Sequence, residues 1–342
     1  MTKGVILVTG ANGFIAGHII DQFLAAGYTV RGTVRSPSSG SKVRELHAKY
    51  GDKLEIAIVP DLTKVESYEN ALQDVVGIMH TASPVDLSAS DNEKELLIPA
   101  IQGVTALLKA SKKWATSLKR IVFTSSFAAN INVPEGYRPG YTYTSEDWNP
   151  VTYAEGATAD PVSAYCASKT LAEQAAWSFI KEEKPSFDLV SLNPAWVFGP
   201  HFAPTTPALD LKHLNESTQA LWKVVDADTV PPVDFAAAVD VRDVARAHLL
   251  AFETPAAGGN RFLLAEHFSY QLAADIAREQ VPELAGRVPV IEQGKEQTPA
   301  TYYAVDGSKP TEILGLKYRP ITDTIRDAYA QLAAVEKVAA AA

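Results

Sequence analysis

The chain has a single cysteine, Cys166, and two methionines among 342 residues. One thiol cannot close an internal disulfide, so a reducing, cytoplasmic setting is expected. Apolar runs long enough to span a bilayer are missing. The N-terminus passes from one lysine into Gly4-Val-Ile-Leu-Val-Thr9, without the apolar core and cleavage site of an export signal. Neither a membrane partner nor secretion is expected. No block of lysine or arginine interrupts a net charge of -9, which leaves no general attraction to nucleic acid. An anionic ligand would need a local basic pocket instead. The seven histidines show no His-Glu-x-x-His or comparable spacing, so no metal site is expected.

What is present is a globular composition, 46% hydrophobic, in a length that suits one large domain or two smaller ones. Strand-like runs near 5–8, 29–34, 54–59, 76–81, 120–124 and 188–193 alternate with helical patterns over 14–26, 43–49, 65–74, 94–114 and 162–183. That alternation predicts an α/β fold, a doubly wound parallel sheet with helices on both faces. The proline-, glycine- and tyrosine-rich stretch 130–160 reads as a long loop near the active side of the sheet. After Pro194 the alternation stops, and a smaller C-terminal substrate-binding lobe is expected. The predicted division gives residues 1–193 and 225–252 to the dinucleotide-binding domain, and 194–224 and 253–335 to the lobe.

The first strand runs into Thr9-Gly-Ala-Asn-Gly-Phe-Ile-Ala16, a glycine turn opening directly into a helix. Gly10 permits the tight turn, and Gly13 lets the backbone approach a pyrophosphate held by the helix N-terminus. Ala16 is small enough for close helix-strand packing. This is a Rossmann-type dinucleotide site, with Asn12, Phe14 and Ile15 beside the cofactor. Past strand two, where an NAD-selective protein presents an acid to the ribose 2′-hydroxyl, stands Arg35. Arg31 and Lys42 flank it, so a 2′-phosphate could be clamped, and NADP(H) is the expected cofactor. Asp61-Leu62 after strand three could meet the adenine, or Asp61 could cap the next helix. His80 at the end of strand four reads as a packed strand residue.

Tyr165-Cys-Ala-Ser-Lys169 puts a phenol and an ammonium on one helix face. A nearby lysine charge would lower the tyrosine pKa from about 10 toward neutrality, making Tyr165 a better acid for a carbonyl oxygen. Thr124-Ser125-Ser126 lies at the carboxyl end of the fifth strand, the edge where such sheets bind ligands. Those hydroxyls could equally cap a turn. Cys166 beside the phenol has no histidine placed to activate it and reads as helix packing.

With these residues in view, the chain resembles an extended short-chain dehydrogenase/reductase. The likeness covers Thr9–Ala16, Phe123-Thr-Ser-Ser126, Ala164–Lys169, Asn193-Pro-Ala-Trp-Val-Phe-Gly-Pro200 and Val239-Asp-Val-Arg-Asp-Val-Ala245. Within that superfamily it is most similar to the fungal NADPH-dependent methylglyoxal and ketone reductases, relatives of dihydroflavonol and cinnamoyl-CoA reductases. The resemblance implies Ser126, rather than Ser125, as the hydroxyl that polarises a carbonyl, with Tyr165 as proton donor. It implies Lys169 at the nicotinamide ribose, and Arg35 with Lys42 at the 2′-phosphate. Thr81, Ala82 and Ser83 would lie near the cofactor backbone, with Pro194 and Val197 beside the nicotinamide. The substrate wall would include Val85, Phe127, Ile131, Val162 and Trp196. Phe127 and Trp196 stand where relatives often carry tyrosine, which favours hydrophobic or aryl carbonyl substrates.

The expected activity is NADPH-dependent reduction of ketones or aldehydes to alcohols, by a monomer or homodimer. A nucleotide-sugar epimerase on the same scaffold is the first alternative; it would hold NAD tightly and lack the basic 2′-phosphate pair. The second is a non-catalytic NADP(H) sensor, which has no need of Ser126, Tyr165 and Lys169 together.

Overall fold

The computed structural model describes residues 3–83, 90–202 and 209–341. In chain order its strands are β1 (Val5–Thr9), β2 (Thr29–Val34), β3 (Leu54–Ile58), β4 (Val75–His80), β5 (Arg120–Thr124) and β6 (Thr142–Tyr143). They continue with β7 (Asp188–Pro194), β8 (Trp196–Phe198), β9 (Ala237–Asp240), β10 (Arg261–Leu264), β11 (Glu266–His267) and β12 (Ala304–Val305). The longer helices are α1 (Phe14–Ala25), α2 (Pro37–Leu46), α3 (Ile98–Trp114), α4 (Tyr153–Thr158) and α5 (Pro161–Glu183). After them come α6 (Glu216–Trp222), α7 (Val241–Glu253), α8 (Tyr270–Gln280), α9 (Ser308–Leu314) and α10 (Ile321–Ala341).

Among the described residues, seven parallel strands form the main sheet in the order β10-β7-β5-β4-β1-β2-β3. Its strands are apolar on both faces, as a sheet covered on both sides requires. Ile6, Val8 and Val30 pack with α1, α2 and α7 on one face. Leu7, Ile78 and Ile121 pack with α3 and α5 on the other. The strand order reverses between β1 and β4, which opens a crevice at their carboxyl ends, the ligand position of such sheets. A separate apolar cluster joins α6, α8 and α10 around Phe198, Phe268 and Tyr329.

Several elements differ from expectation for local reasons. The second helix begins at Pro37 rather than near Val43, because Ser36 accepts from the Ser39 N–H at 3.3 Å and Pro37 presets the first turn. Residues 65–74 form two short 3₁₀ turns instead of a helix, which turn Tyr68, Ala71 and Leu72 inward before the chain enters β4. The stretch 130–160 is not all loop; it holds β6 and α4, the latter started by a reciprocal cap between Thr152 and Glu155. Two strands cross the expected division: β10 completes the main sheet beside β7, while β9 joins β8 and β11 in a three-stranded sheet. No helix among the described residues is long and apolar enough to cross a membrane.

Candidate active site

A cavity of about 1000 Å³ opens at the carboxyl ends of β1, β4, β5 and β7. Gly10 turns the chain there with φ of 66°, and a Cβ on it would lie 3.2 Å from Ala82 Cα. Gly13 caps α1 without any side chain, and no acidic residue occupies the helix's first turn. Among the described residues no side chain claims the first-turn N–H groups, which line the cavity at the positive end of the helix dipole. Asn12, Phe14 and Ile15 line the same turn. Across the crevice, the Thr9 hydroxyl oxygen accepts from the Thr81 and Ala82 N–H groups, both at 3.1 Å. Its own hydrogen is left for His80 Nδ1 at 2.8 Å, and burial pushes His80 down to about 3, so the ring is neutral. His80 is thus a packed strand residue that holds the carboxyl ends of β1 and β4 together.

The adenosine half is less complete than expected. Arg35, Leu62, Thr81, Ala82 and Ser83 line the cavity. Arg35 is exposed and has no carboxylate partner among the described residues. Arg31 is turned away: it pairs with Glu55 at 2.7 Å and donates to the carbonyls of Ala71 and Gln73 at 3.0 and 2.7 Å. Lys42 sits exposed on α2, outside the cavity lining. Asp61 is also outside the lining, and it caps no helix: its carboxylate accepts from the Thr63 N–H and hydroxyl at 2.8 and 2.7 Å in a local turn, while the 3₁₀ turn that follows starts after Lys64 without a side-chain cap.

The chemical groups meet at the centre. Asp160 caps α5 by accepting from Val162 and Ser163 N–H at 3.0 and 3.1 Å, and Pro161 starts the helix. Four residues apart on that helix, Tyr165 and Lys169 share one face, with Nζ 5.8 Å from the ring centroid. Ser126, Tyr165 and Lys169 all line the cavity with Thr124, Pro194 and Val197, and Ser126 acts on the Tyr165 phenol. The Ser126 hydroxyl oxygen also accepts from the Ala128 N–H at 3.1 Å, which caps the short turn that follows and leaves its hydrogen for the cavity. Ser125 is drawn the other way, donating to Glu173 Oε2 at 2.6 Å. The Thr124 hydroxyl is committed to His248 Nε2 at 2.8 Å.

Burial, not the lysine, dominates the Tyr165 phenol. Desolvation raises it to about 12 and the nearby Ser126 hydroxyl works the other way, so the expected drop toward neutrality is absent. A phenol held protonated is what a proton donor requires. Burial alone lowers the Lys169 ammonium from 10.5 to about 8. It is 8% exposed and makes no hydrogen bond or ion pair among the described residues. A buried ammonium facing a cavity without a partner, beside an open helix N-terminus and Gly10, fits a polyhydroxylated, phosphorylated ligand such as a dinucleotide.

That fit has a stability consequence. The folded chain holds Lys169 less protonated than the unfolded chain does between about pH 8 and 10.5. Stability therefore rises with pH through that window, and the penalty is full below it. Lys169→Met is expected to unfold at a higher temperature than the native chain at pH 7, with the gap closing as pH climbs past 8 in thermal melts.

Behind the serines lies a hub that the sequence does not announce. Glu173, fully buried on α5, accepts from Ser125, from Asn193 Nδ2 at 2.7 Å, from Trp177 Nε1 at 3.2 Å and from Arg261 Nε at 2.7 Å. Asn193 also donates to the Ser126 carbonyl at 3.2 Å. Arg261 reaches the carbonyls of Ser145 and Asp147 at 3.0 and 2.6 Å and stacks on Trp148. One carboxylate thereby joins β5, α5, β7 and β10 under the Ser126 turn.

At the far end, Phe127, Val162 and Trp196 line the cavity as expected. Ile131 does not; it is 3% exposed and packs into the core behind Phe127 with Tyr143 and Tyr303. Val85 lies outside the described residues. The structure adds Glu216 and Ala220 from α6, Lys223 just past its end, and Asp234 with Phe235. Asp234 is held by Trp196 Nε1 and the Tyr270 hydroxyl, both at 3.0 Å, so the indole tip is already occupied. Cys166 is buried, and its thiol is pushed up to about 12, which leaves it unreactive. No group of three or more metal-ligating side chains occurs among the described residues.

Comparison with known proteins gives this geometry relatives. Residues 6–265 match the model of the NAD dependent epimerase/dehydratase family. The chain is 38% identical to NADPH-dependent methylglyoxal reductase Gre2 of Saccharomyces cerevisiae over 339 residues, covering 96% of this chain and 97% of that protein. It is 38% identical to the ketoreductase azaE of Aspergillus niger over 335 residues, covering 94% and 96%. The crystal structure of yeast methylglyoxal/isovaleraldehyde reductase Gre2 complexed with NADPH superposes with a TM-score of 0.89 at 36% identity, covering 97% of this chain and 99% of that one. The parallel sheet, the glycine turn and the matched span together make this chain a member of the NAD dependent epimerase/dehydratase family, the extended short-chain dehydrogenases/reductases.

Proposed function

We propose that this protein is an NADPH-dependent reductase that converts ketones or aldehydes to alcohols. The observation that carries the reading is the convergence of Ser126, Tyr165 and the unpartnered Lys169 ammonium on one wall of the dinucleotide cavity. When bound, NADPH supplies the hydride. The Ser126 hydroxyl holds the carbonyl oxygen, and the Tyr165 phenol gives its proton to that oxygen as negative charge develops there. Lys169 binds the ribose hydroxyls and keeps a positive charge beside the reacting oxygen. Phe127, Val162 and Trp196 exclude water and favour apolar or aryl groups on the substrate. We assign the dinucleotide to the main sheet and the substrate wall chiefly to the segments after Pro194.

Arg35 argues against the epimerase reading, because the acid that would select NAD is replaced by a guanidinium suited to a 2′-phosphate. Arg35→Asp is expected to weaken NADPH binding by roughly 10- to 100-fold while changing NADH far less. Fluorescence titration with both cofactors measures it; an unchanged preference would put the 2′-phosphate elsewhere. The activity itself is tested by following NADPH absorbance across a panel of aldehydes and ketones, repeated with NADH.

A further inference from the structure

Three aromatic rings run along the cavity from Ser126. Phe127 directly follows that serine, Phe235 meets Phe127 edge-on with 6.4 Å between ring centroids, and Trp196 meets Phe235 edge-on at 5.7 Å. All three line the cavity with Ser126 and Tyr165. Phe127 is fixed by burial at 1% exposed, whereas Trp196 is only partly buried, so packing alone does not hold it. The indole Nε1 donates instead to Asp234 Oδ1 at 3.0 Å. That carboxylate is itself mounted: the same oxygen accepts from the Phe235 N–H at 2.6 Å, and Oδ2 accepts from the Tyr270 hydroxyl at 3.0 Å. Tyr270 is buried on α8, and burial pushes its phenol well above the usual range, so it stays a donor. The chain on either side of Asp234 is pinned as well, the Pro231 carbonyl by Gln297 Nε2 at 2.6 Å and the Ala236 N–H by the Tyr303 hydroxyl at 2.9 Å.

Resting on the reductase reading above, we propose that Asp234 is a positioning residue: it fixes the tilt of the Trp196 indole and so makes a rigid aromatic corner that selects aryl carbonyl compounds and the face on which they are reduced. An aryl group whose carbonyl is held by Ser126 and Tyr165 lies against that corner, and a ring already held needs no ordering when the substrate arrives. A charged acceptor suits this task at a partly wet wall, because a hydrogen bond to a carboxylate is stronger than one to a neutral group. With the indole free to turn, the aryl group loses a fixed surface and can present its other face to the hydride. The groups that act on the carbonyl oxygen stay in place, so the loss falls on selectivity.

The experiment measures kcat/KM at saturating NADPH for methyl phenylglyoxylate and methyl pyruvate, which share the reacting group and differ in phenyl against methyl, together with the enantiomeric ratio of the methyl mandelate formed. Both readouts are ratios, so a smaller folded fraction leaves them unchanged. In D234A the phenyl-to-methyl ratio is expected to fall about three- to tenfold, and the enantiomeric ratio to drop with it. D234N stays within about twofold of native, because its amide oxygen still accepts from Trp196 and Phe235 while its N–H donates to Tyr270. In the W196F background, where no indole N–H is left to hold, D234A changes the ratio by less than about twofold. A ratio in D234A within about twofold of native, an undiminished loss in the W196F background, or a native protein that reduces methyl pyruvate alone overturns the Asp234 role and leaves the reductase reading standing. A native protein that reduces neither ester overturns the reductase reading, and the Asp234 role with it.

Discussion

Tyr165→Phe lowers the rate of carbonyl reduction by about 10²- to 10⁴-fold, the usual worth of a positioned proton donor. The substitution keeps the ring and deletes only the hydroxyl that shares the cavity with Ser126. Ser126, Lys169 and the glycine turn remain, so NADPH binding is expected to change by no more than a few-fold. Stopped-flow absorbance reads the hydride step, and fluorescence titration reads the binding. Near-native turnover would remove Tyr165 from the proton-donor role. The native pH profile follows from the same groups. A donor is effective only while protonated, and burial holds the phenol at about 12. Lys169 loses its charge at about 8, so kcat/KM is flat at neutrality and declines above that point.

Glu173→Ala destabilises the fold by about 3–5 kcal/mol, the loss expected when one partner of a buried ion pair is removed. Its partner Arg261, a guanidinium 9% exposed, is left with three backbone carbonyls and no counter-charge, while Ser125 and Trp177 lose their acceptor and Asn193 loses one of two. Urea unfolding measures the loss. The double variant Glu173→Leu with Arg261→Met should recover part of it, because an apolar pair leaves no stranded charge. A single variant that unfolds at the native urea midpoint would show that the hub carries no such load. In the folded fraction, kcat should also fall, since Asn193, which holds the Ser126 carbonyl, is then anchored by the Ser191 hydroxyl alone.

The sheet and its crevice were legible because each strand pairs a buried apolar run with a turn or helix signal. Val5–Thr9 followed by Gly10, Gly13 and Phe14 places the dinucleotide turn within a residue of its observed position. The i, i+4 spacing of Tyr165 and Lys169 likewise survives intact, because Asp160 and Pro161 fix where α5 begins. Other assignments required partners distant in sequence. Arg31 is claimed by Glu55 and by carbonyls of the turn before β4, a competition invisible from its own neighbours. Lys42 lies on the exposed side of α2, whose start Ser36 and Pro37 determine. Ile131 is buried by Tyr143 and Tyr303, whose approach depends on the pairing of β6 with β12. Glu216 gave no signal at all, since an acid in the first turn of a helix is ordinary dipole complementarity until the cavity it lines is known.

The position of Glu173 divides the molecule into what can and cannot be altered independently. Every element that aims Ser126 and Tyr165 meets at that carboxylate, whereas Glu216, Ala220, Lys223 and Phe235 come from segments that contribute nothing to it. Substitutions on the α6 wall can therefore accumulate without disturbing the proton donor, and changes around the hub cannot. In such an arrangement new substrate ranges arise by replacing the wall, and the reaction is inherited unchanged.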